Sequence, residues 1–377
     1  MRIYVIGPTH PYRGGISHYN TLLCKHLMNI FDVKLITFKR LYPTCLFPGK
    51  NQRDLESREK IEIESEFALD SINPLTWLKM VSEIKREKPD MLILHWWTPF
   101  FAPLSFTLSF LTKKLTNTKI LFICHNVLPH ETRYLDKILT KIALKYSDFY
   151  IVHSSEDYNK LNNLIPGSNI TRMFLPTYEI FKFERISRED AKRRLNLKKD
   201  VILYFGFIRE YKGLKILLRS MQAVLEKNDV DLLVVGEFWH DKNIYLEEID
   251  ILGIGKNVII VDKYIPNEEV GLYFSAADVV VLPYISASQS GIIQIAYGFN
   301  RPVITTDVGG LPDVVEDGVT GFIVPARNSK ALSDSIIRYF DGMYEKRFEE
   351  NIKNMKNIYS WEKFVDLFGK FLIDRAS

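Results

Sequence analysis

Cysteine is scarce: Cys24, Cys45 and Cys124 are the only three in 377 residues. Their number and wide spacing exclude a disulfide framework and a paired-cysteine metal site, and fit a reducing compartment. Glycine (19) and proline (16) are too few for a collagenous or low-complexity chain. Neither sign of charge dominates, with 50 Lys+Arg against 46 Asp+Glu and a formal net charge of +4. With 46% hydrophobic and 25% charged residues, the composition excludes a largely disordered chain. The apolar stretch Ile3–Ile6 is too short for the core of a secretory signal, so a cytoplasmic location is expected. One uncharged run, Met91–Thr112, has the 22 residues needed to cross a bilayer. Pro99 and Pro103 interrupt it, and it reads as strand, loop and short apolar helix instead.

What charge there is divides unevenly. Residues 1–175 hold 23 basic and 16 acidic side chains, while residues 176–377 hold 27 and 30. A basic first half suits an anionic partner such as a phosphate-bearing substrate or a membrane surface, although solvated lysine-rich helices give the same count.

Short apolar runs alternate with longer amphipathic stretches. The expected strands are Ile3–Ile6, Val33–Phe38, Met91–Leu94, Lys119–Cys124 and Phe149–Val152, then Val201–Phe205, Asp231–Val235, Val258–Val261, Val279–Leu282 and Pro302–Thr305. Helical patterns such as Gly15–Met28, Pro74–Lys88, Asp136–Tyr146, Leu214–Lys227 and Glu268–Ser275 fall between them. This alternation predicts an α/β protein with parallel sheets covered on both faces. The pattern pauses in the charged stretch between about Leu175 and Asp200 and then restarts. Two Rossmann-like domains are therefore expected, residues 1–177 and 178–360, with an amphipathic helix in 361–377 returning to the first. Ligands of such folds sit at the carboxyl ends of the strands, so residues just after strands are the candidates.

Three such places carry chemistry. After the first strand, Gly14 and Gly15 open a helix and leave backbone N–H groups for an anion; the spacing is neither GxGxxG nor a P-loop. After Phe205, the loop Gly206–Gly213 places Arg209 and Lys212 three residues apart, a fork and a point charge suited to a diphosphate. After Leu282, a small polar loop with Ser288, Gln289 and Ser290 leads into a helix near Gly291 and Ile292, whose free N–H groups again suit phosphate. His125 follows one strand and His95 ends another. Asp229-Val230-Asp231 imitates a metal-binding DxD but precedes a strand, and no HExxH or Cys/His cluster supports a metal.

With these residues in place, nearly the whole chain resembles the family-four (GT4-like) retaining glycosyltransferases of the GT-B fold. The strongest part is PVITTDVGGLPDVVEDGVTGFIVP within Arg301–Pro325; Arg209…Lys212-Gly213, Gly14-Gly15 and Ser360-Trp361-Glu362 add to it. The resemblance implies two doubly wound domains facing across a cleft, the first for the acceptor and the second for the nucleotide sugar. It also implies that a hexosyl-type residue passes from a nucleotide-diphosphate sugar to an acceptor with retention of configuration, without a metal or resident cofactor. Gly14, Gly15, Arg209, Lys212, Ser290, Gly291 and Ile292 would hold the diphosphate, Ser288 and Gln289 the ribose and sugar region. His125 would lie at the reacting centre and His95 on the acceptor side. The sequence departs from the family at Ala287 and Ile295, where two glutamates usually stand, the second helping to hold the donor ribose.

The acceptor expected is a saccharide or lipid-linked saccharide of a surface polysaccharide. Peripheral contact with the inner membrane face is expected through Phe100–Phe106 and the row Lys137, Lys141, Lys145, and no nucleic-acid partner is implied. A sugar-nucleotide epimerase of the same fold, a catalytically silent nucleotide-binding subunit and a membrane-anchored scaffold remain as alternatives.

Overall fold

A computed structural model describes residues 1–47, 49–129 and 133–376. His130 and Glu131, which end the His125 segment, lie outside the described residues. The chain divides into two compact units: unit 1 comprises Met1–Leu55, Lys60–Phe174 and Ser360–Ser377, and unit 2 comprises Glu56–Glu59 and Leu175–Tyr359.

Unit 1 begins β1 (Arg2–Ile6), α1 (Gly15–Leu27), β2 (Asp32–Arg40), β3 (Glu66–Asp70), α2 (Pro74–Glu87), β4 (Met91–Trp96) and α3 (Ala102–Leu115). It continues β5 (Lys119–Cys124), α4 (Tyr134–Leu144), β6 (Phe149–Val152), α5 (Ser155–Leu164) and β7 (Ile170–Arg172). Its seven strands lie in the order β3-β2-β1-β4-β5-β6-β7 and pair in parallel throughout. The strand order reverses between β1 and β4, which places a ligand crevice at their carboxyl ends. Every residue of β4 is buried, as a central strand with helices on both faces requires. The chain turns out of β4 over Pro99 into α3, so the long uncharged run is strand, turn and helix. Among the described residues no helix is long and apolar enough to cross a membrane.

Unit 2 runs α6 (Arg188–Arg194), β8 (Asp200–Phe205), α7 (Leu214–Leu225), β9 (Val230–Val235), α8 (Asn243–Leu252), β10 (Val258–Val261) and α9 (Asn267–Ala276). It continues β11 (Val279–Leu282), α10 (Gly291–Gly298), β12 (Val303–Thr306), β13 (Gly321–Val324), α11 (Ser329–Asp341) and α12 (Glu345–Met355). The sheet order is β10-β9-β8-β11-β12-β13, again parallel, with its reversal between β8 and β11. In α7 the residues Leu214, Leu217, Leu218, Met221 and Val224 recur at helical spacing and are all buried, which makes the helix one wall of the core. The charged pause before β8 contains α6, capped by Ser187, whose side chain accepts from the Asp190 N–H.

The last helix, α13 (Trp361–Ala376), belongs to unit 1. Trp361 stacks on His26 with ring centroids 5.6 Å apart, and Trp361 and Phe364 both meet Tyr19 of α1. The fold is α/β of the two-Rossmann type, with the C-terminal helix packed on the first unit.

Candidate functional site

In unit 2, the loops after β8 and β11 are tied together at the point where the strand order reverses. Gly213 takes φ 71°, and a Cβ there would lie 1.9 Å from the Pro283 carbonyl oxygen, so only glycine fits. The Ile285 N–H donates to the Tyr211 carbonyl at 2.7 Å, closing the same junction. This contact sets Lys212. A Cβ on Gly206 would sit 3.2 Å from Lys212 Nζ and 3.4 Å from Ile292 Cδ1, so the ammonium and the first turn of α10 meet beside Gly206. Ser290 is the N-cap of α10 and does not cap it through its side chain, leaving the first N–H groups for another acceptor. Burial, and then the Arg209 charge, bring the Lys212 amine down to about 8. A cation held in this way is poised for an anion that would restore its charge.

Arg209 lies over two aromatic faces, with its guanidinium carbon 5.2 Å from the Tyr211 ring centre and 5.4 Å from that of Trp239. Its Nε is buried and has no hydrogen-bond partner among the described residues. Phe207 packs on Trp239 at 4.5 Å, and Glu237, buried just after β9, accepts from Trp239 Nε1 at 3.1 Å. Sequence reasoning does not find Phe207, Glu237 or Trp239: isolated aromatics and one acid in a loop carry no pattern, and the parallel register alone brings them beside Arg209. Ser288 Oγ and both side-chain atoms of Gln294 are buried without hydrogen-bond partners among the described residues. Gln289 belongs to the same loop. Ala287 and Ile295 are buried, so neither places an acceptor in the loop. Asp229 is exposed and paired with Lys199 at 2.7 Å, at the opposite end of β9 from these loops.

In unit 1, Gly14 takes φ 104° as the N-cap of α1, and Gly15 is exposed at its first position. His95 in β4 and His125, just after β5, are 4% and 3% exposed, and His95 Nδ1 lies 2.8 Å from His125 Nε2. The structure adds a third imidazole, His153 just after β6, also buried. Tyr19 presents its ring edgewise to all three, with centroids 6.0, 5.0 and 5.2 Å away in chain order. Burial lowers the basicity of each: His95 to about 3, His153 to about 4, and His125 well below its ordinary value, the neighbouring histidines adding to the effect on His95 and His125. Asp157, buried at the start of α5, accepts from the Val127 N–H at 3.2 Å and from Ser154 Oγ at 3.1 Å, and so joins the loops that carry His125 and His153. Among the described residues no group of three His, Cys, Asp or Glu side chains is placed to hold a metal ion.

Two Rossmann-type units of this kind make up the GT-B fold. Sucrose-phosphate synthase from Thermosynechococcus elongatus matches over 100% of both chains with a TM-score of 0.75 at 20% identity. Anabaena HepE in complex with UDP-glucose matches over 99% of this chain and 100% of its own, with a TM-score of 0.76 at 15% identity. Residues 199–341 match the family of glycosyl transferases group 1. D-inositol 3-phosphate glycosyltransferase of Corynebacterium diphtheriae is 28% identical over 214 residues, 52% of this chain and 48% of that protein. The capsular polysaccharide biosynthesis glycosyltransferase CapM of Staphylococcus aureus is 26% identical over 249 residues, covering 62% and 65%. For the Corynebacterium diphtheriae and Thermobifida fusca relatives, the chain spans about half of their length, 48% and 54%.

Proposed function

We propose that the protein is a retaining glycosyltransferase that moves a sugar from a nucleotide-diphosphate donor to a saccharide or lipid-linked saccharide acceptor. The observation that carries this reading is the convergence of Lys212 Nζ and the first turn of α10 beside Gly206. As the glycosidic bond breaks, negative charge grows on the leaving diphosphate. Lys212, Arg209 and the amides of Gly291 and Ile292 are positioned to meet it, with Ser290 at the helix N-cap. Each well-placed donor in such a site is worth about 3–4 kcal/mol of barrier. The acceptor proton passes to the departing phosphate, so no protein base and no metal is required. Gly14 and Gly15, at the start of α1, join the diphosphate side, Ser288 and Gln289 take the ribose side, and His125 and His95 serve the reacting sugar and acceptor.

The experiment is a thermal-shift screen against UDP, GDP, ADP and TDP and their common sugar conjugates, because a ligand bound only by the native state raises the melting temperature. One base should stabilise the protein, and its sugar conjugate should then be consumed when acceptor is supplied. Stabilisation without turnover would favour the silent-subunit reading, which the buried apolar side chains at Ala287 and Ile295 support. Turnover without acceptor would favour an epimerase. No shift with any nucleotide would remove the diphosphate assignment.

Peripheral membrane contact is part of the proposal, but its surface differs from the one expected from sequence. Phe101 and Leu104 are buried and Phe100 and Phe106 half-buried, because this stretch packs α3 into the core. Lys137, Lys141 and Lys145 are exposed, and beside them on the same face of α4 lie Tyr134 (80% exposed), Leu135 (62%), Ile138 and Ile142. An apolar stripe bordered by a lysine row suits the surface of an anionic bilayer. Replacing the three lysines with serine should weaken binding to phosphatidylglycerol-containing vesicles by about 3 kcal/mol, roughly a hundredfold. Equal sedimentation with zwitterionic vesicles, or none with either, would remove this contact.

A further inference from the structure

The three imidazoles of unit 1 do not satisfy one another. His153 Nδ1 lies 3.0 Å from the Met173 carbonyl oxygen, which can only accept, so the ring proton sits on Nδ1 and Nε2 is a bare acceptor. His95 and His125 share one proton between Nδ1 and Nε2. That leaves His95 Nε2 outside the pair. Both His95 Nε2 and His153 Nε2 are buried, in residues 4% and 5% exposed, and neither has a hydrogen-bond partner among the described residues. A polar atom buried without a partner is costly, and two in one cluster call for a ligand that supplies the missing bonds.

The chemistry of that ligand follows from the surroundings. The rings are neutral, and no lysine or arginine acts on His95 or His153. An anion would find no cation here, unlike the loops around Arg209 and Lys212. Hydroxyl groups fit, because each can donate to a bare imidazole nitrogen and accept in return. Strand pairing sets the spacing, since β4, β5 and β6 are neighbours in the sheet and present these residues at their carboxyl ends.

We infer that His95 Nε2 and His153 Nε2 together form a hydroxyl-reading site for a neutral polyhydroxylated ring, with His153 a substrate-contacting residue in its own right. This deepens the glycosyltransferase reading and rests on it for the identity of the ring as a sugar. Asp157 acts as a positioning residue through its bonds to Val127 and Ser154.

The test uses full-length protein labelled with 15N-histidine, whose side-chain nitrogen resonances report tautomer and hydrogen bonding directly. Methyl glycosides of glucose, galactose, mannose and N-acetylglucosamine are added in turn at high millimolar concentration, with inorganic phosphate as the contrasting probe. The Nε2 signals of His153 and His95 should move with at least one glycoside and stay fixed with phosphate. In His153→Phe, which keeps a ring against Tyr19 and Phe364, affinity for that glycoside should fall at least tenfold while affinity for the stabilising nucleotide is unchanged. Signals unmoved by every glycoside, or moved by phosphate, would overturn the inference. The same sample with the nucleotide panel separates the two readings: nucleotide binding with silent histidines rejects only this site, whereas silence from the nucleotides rejects the donor assignment.

Discussion

Lys212→Met should abolish most of the affinity for a nucleoside diphosphate while leaving the melting temperature of the free protein within a degree or so. The ammonium lies beside Gly206 and the first turn of α10, and a charge-assisted bond of this kind is worth about 2–3 kcal/mol, roughly thirty- to a hundredfold in Kd. The wild-type protein should also show a pH dependence that the variant lacks. Burial holds the free amine near 8, so binding a phosphate below that pH needs no proton uptake, while above it the amine must first be charged. Affinity should therefore decline as pH rises through about 8 and stay flat over the same range in Lys212→Met. Arg209 is the charged group that faces this amine. Isothermal titration at several pH values reads both effects. An unchanged Kd in the variant would remove Lys212 from the site.

The second large effect is one of stability. Asp278, just before β11, is buried at the end of the sheet remote from the ligand loops. It accepts from Arg188 Nη1 at 3.1 Å, from Lys192 Nζ at 2.7 Å and from the Val201 N–H at 2.6 Å. Arg188 also pairs with Glu345 and Glu349, and Glu349 receives Arg301 at 2.6 Å, so α6, α12 and the sheet are joined through one ionic group. Burial raises the Asp278 carboxyl above its ordinary value even with two cations beside it. The loss on truncation comes mainly from what is left behind, two half-buried cations and an unpaired strand N–H. Asp278→Ala should cost about 3–5 kcal/mol, seen as a lowered urea midpoint. A loss under about 1 kcal/mol would mean that solvent readily replaces the carboxylate.

How much of this could be read from sequence depended on whether the pattern was local. The central strands β4, β8 and β11 are apolar runs because both their faces are covered, and such runs stand out. β3, with Glu66 and Phe67 exposed at the sheet edge, and the three-residue β7 have no such run and were not foreseen. The short helix α6 was hidden in a segment read only as charged. In the site, glycines and cations after strands were legible because the parallel fold sends loops there. His153 was not, since a lone histidine after a short strand has no signature until the sheet sets it beside His125. Phe101 and Ile138 show the remaining limit. Apolar content does not say which face a helix turns to solvent, and here Phe101 faces inward while Ile138 faces outward.

The return of α13 to unit 1 has a consequence for synthesis on the ribosome. Tyr19, which touches all three histidines, is backed by Trp361 and Phe364, yet some 185 residues of unit 2, Leu175–Tyr359, are made in between. At about 5–20 residues per second, that interval lasts roughly 10–40 s. For that time the nascent unit 1 lacks the helix that backs Tyr19, so unit 1, although begun first, is completed only after unit 2 has been translated.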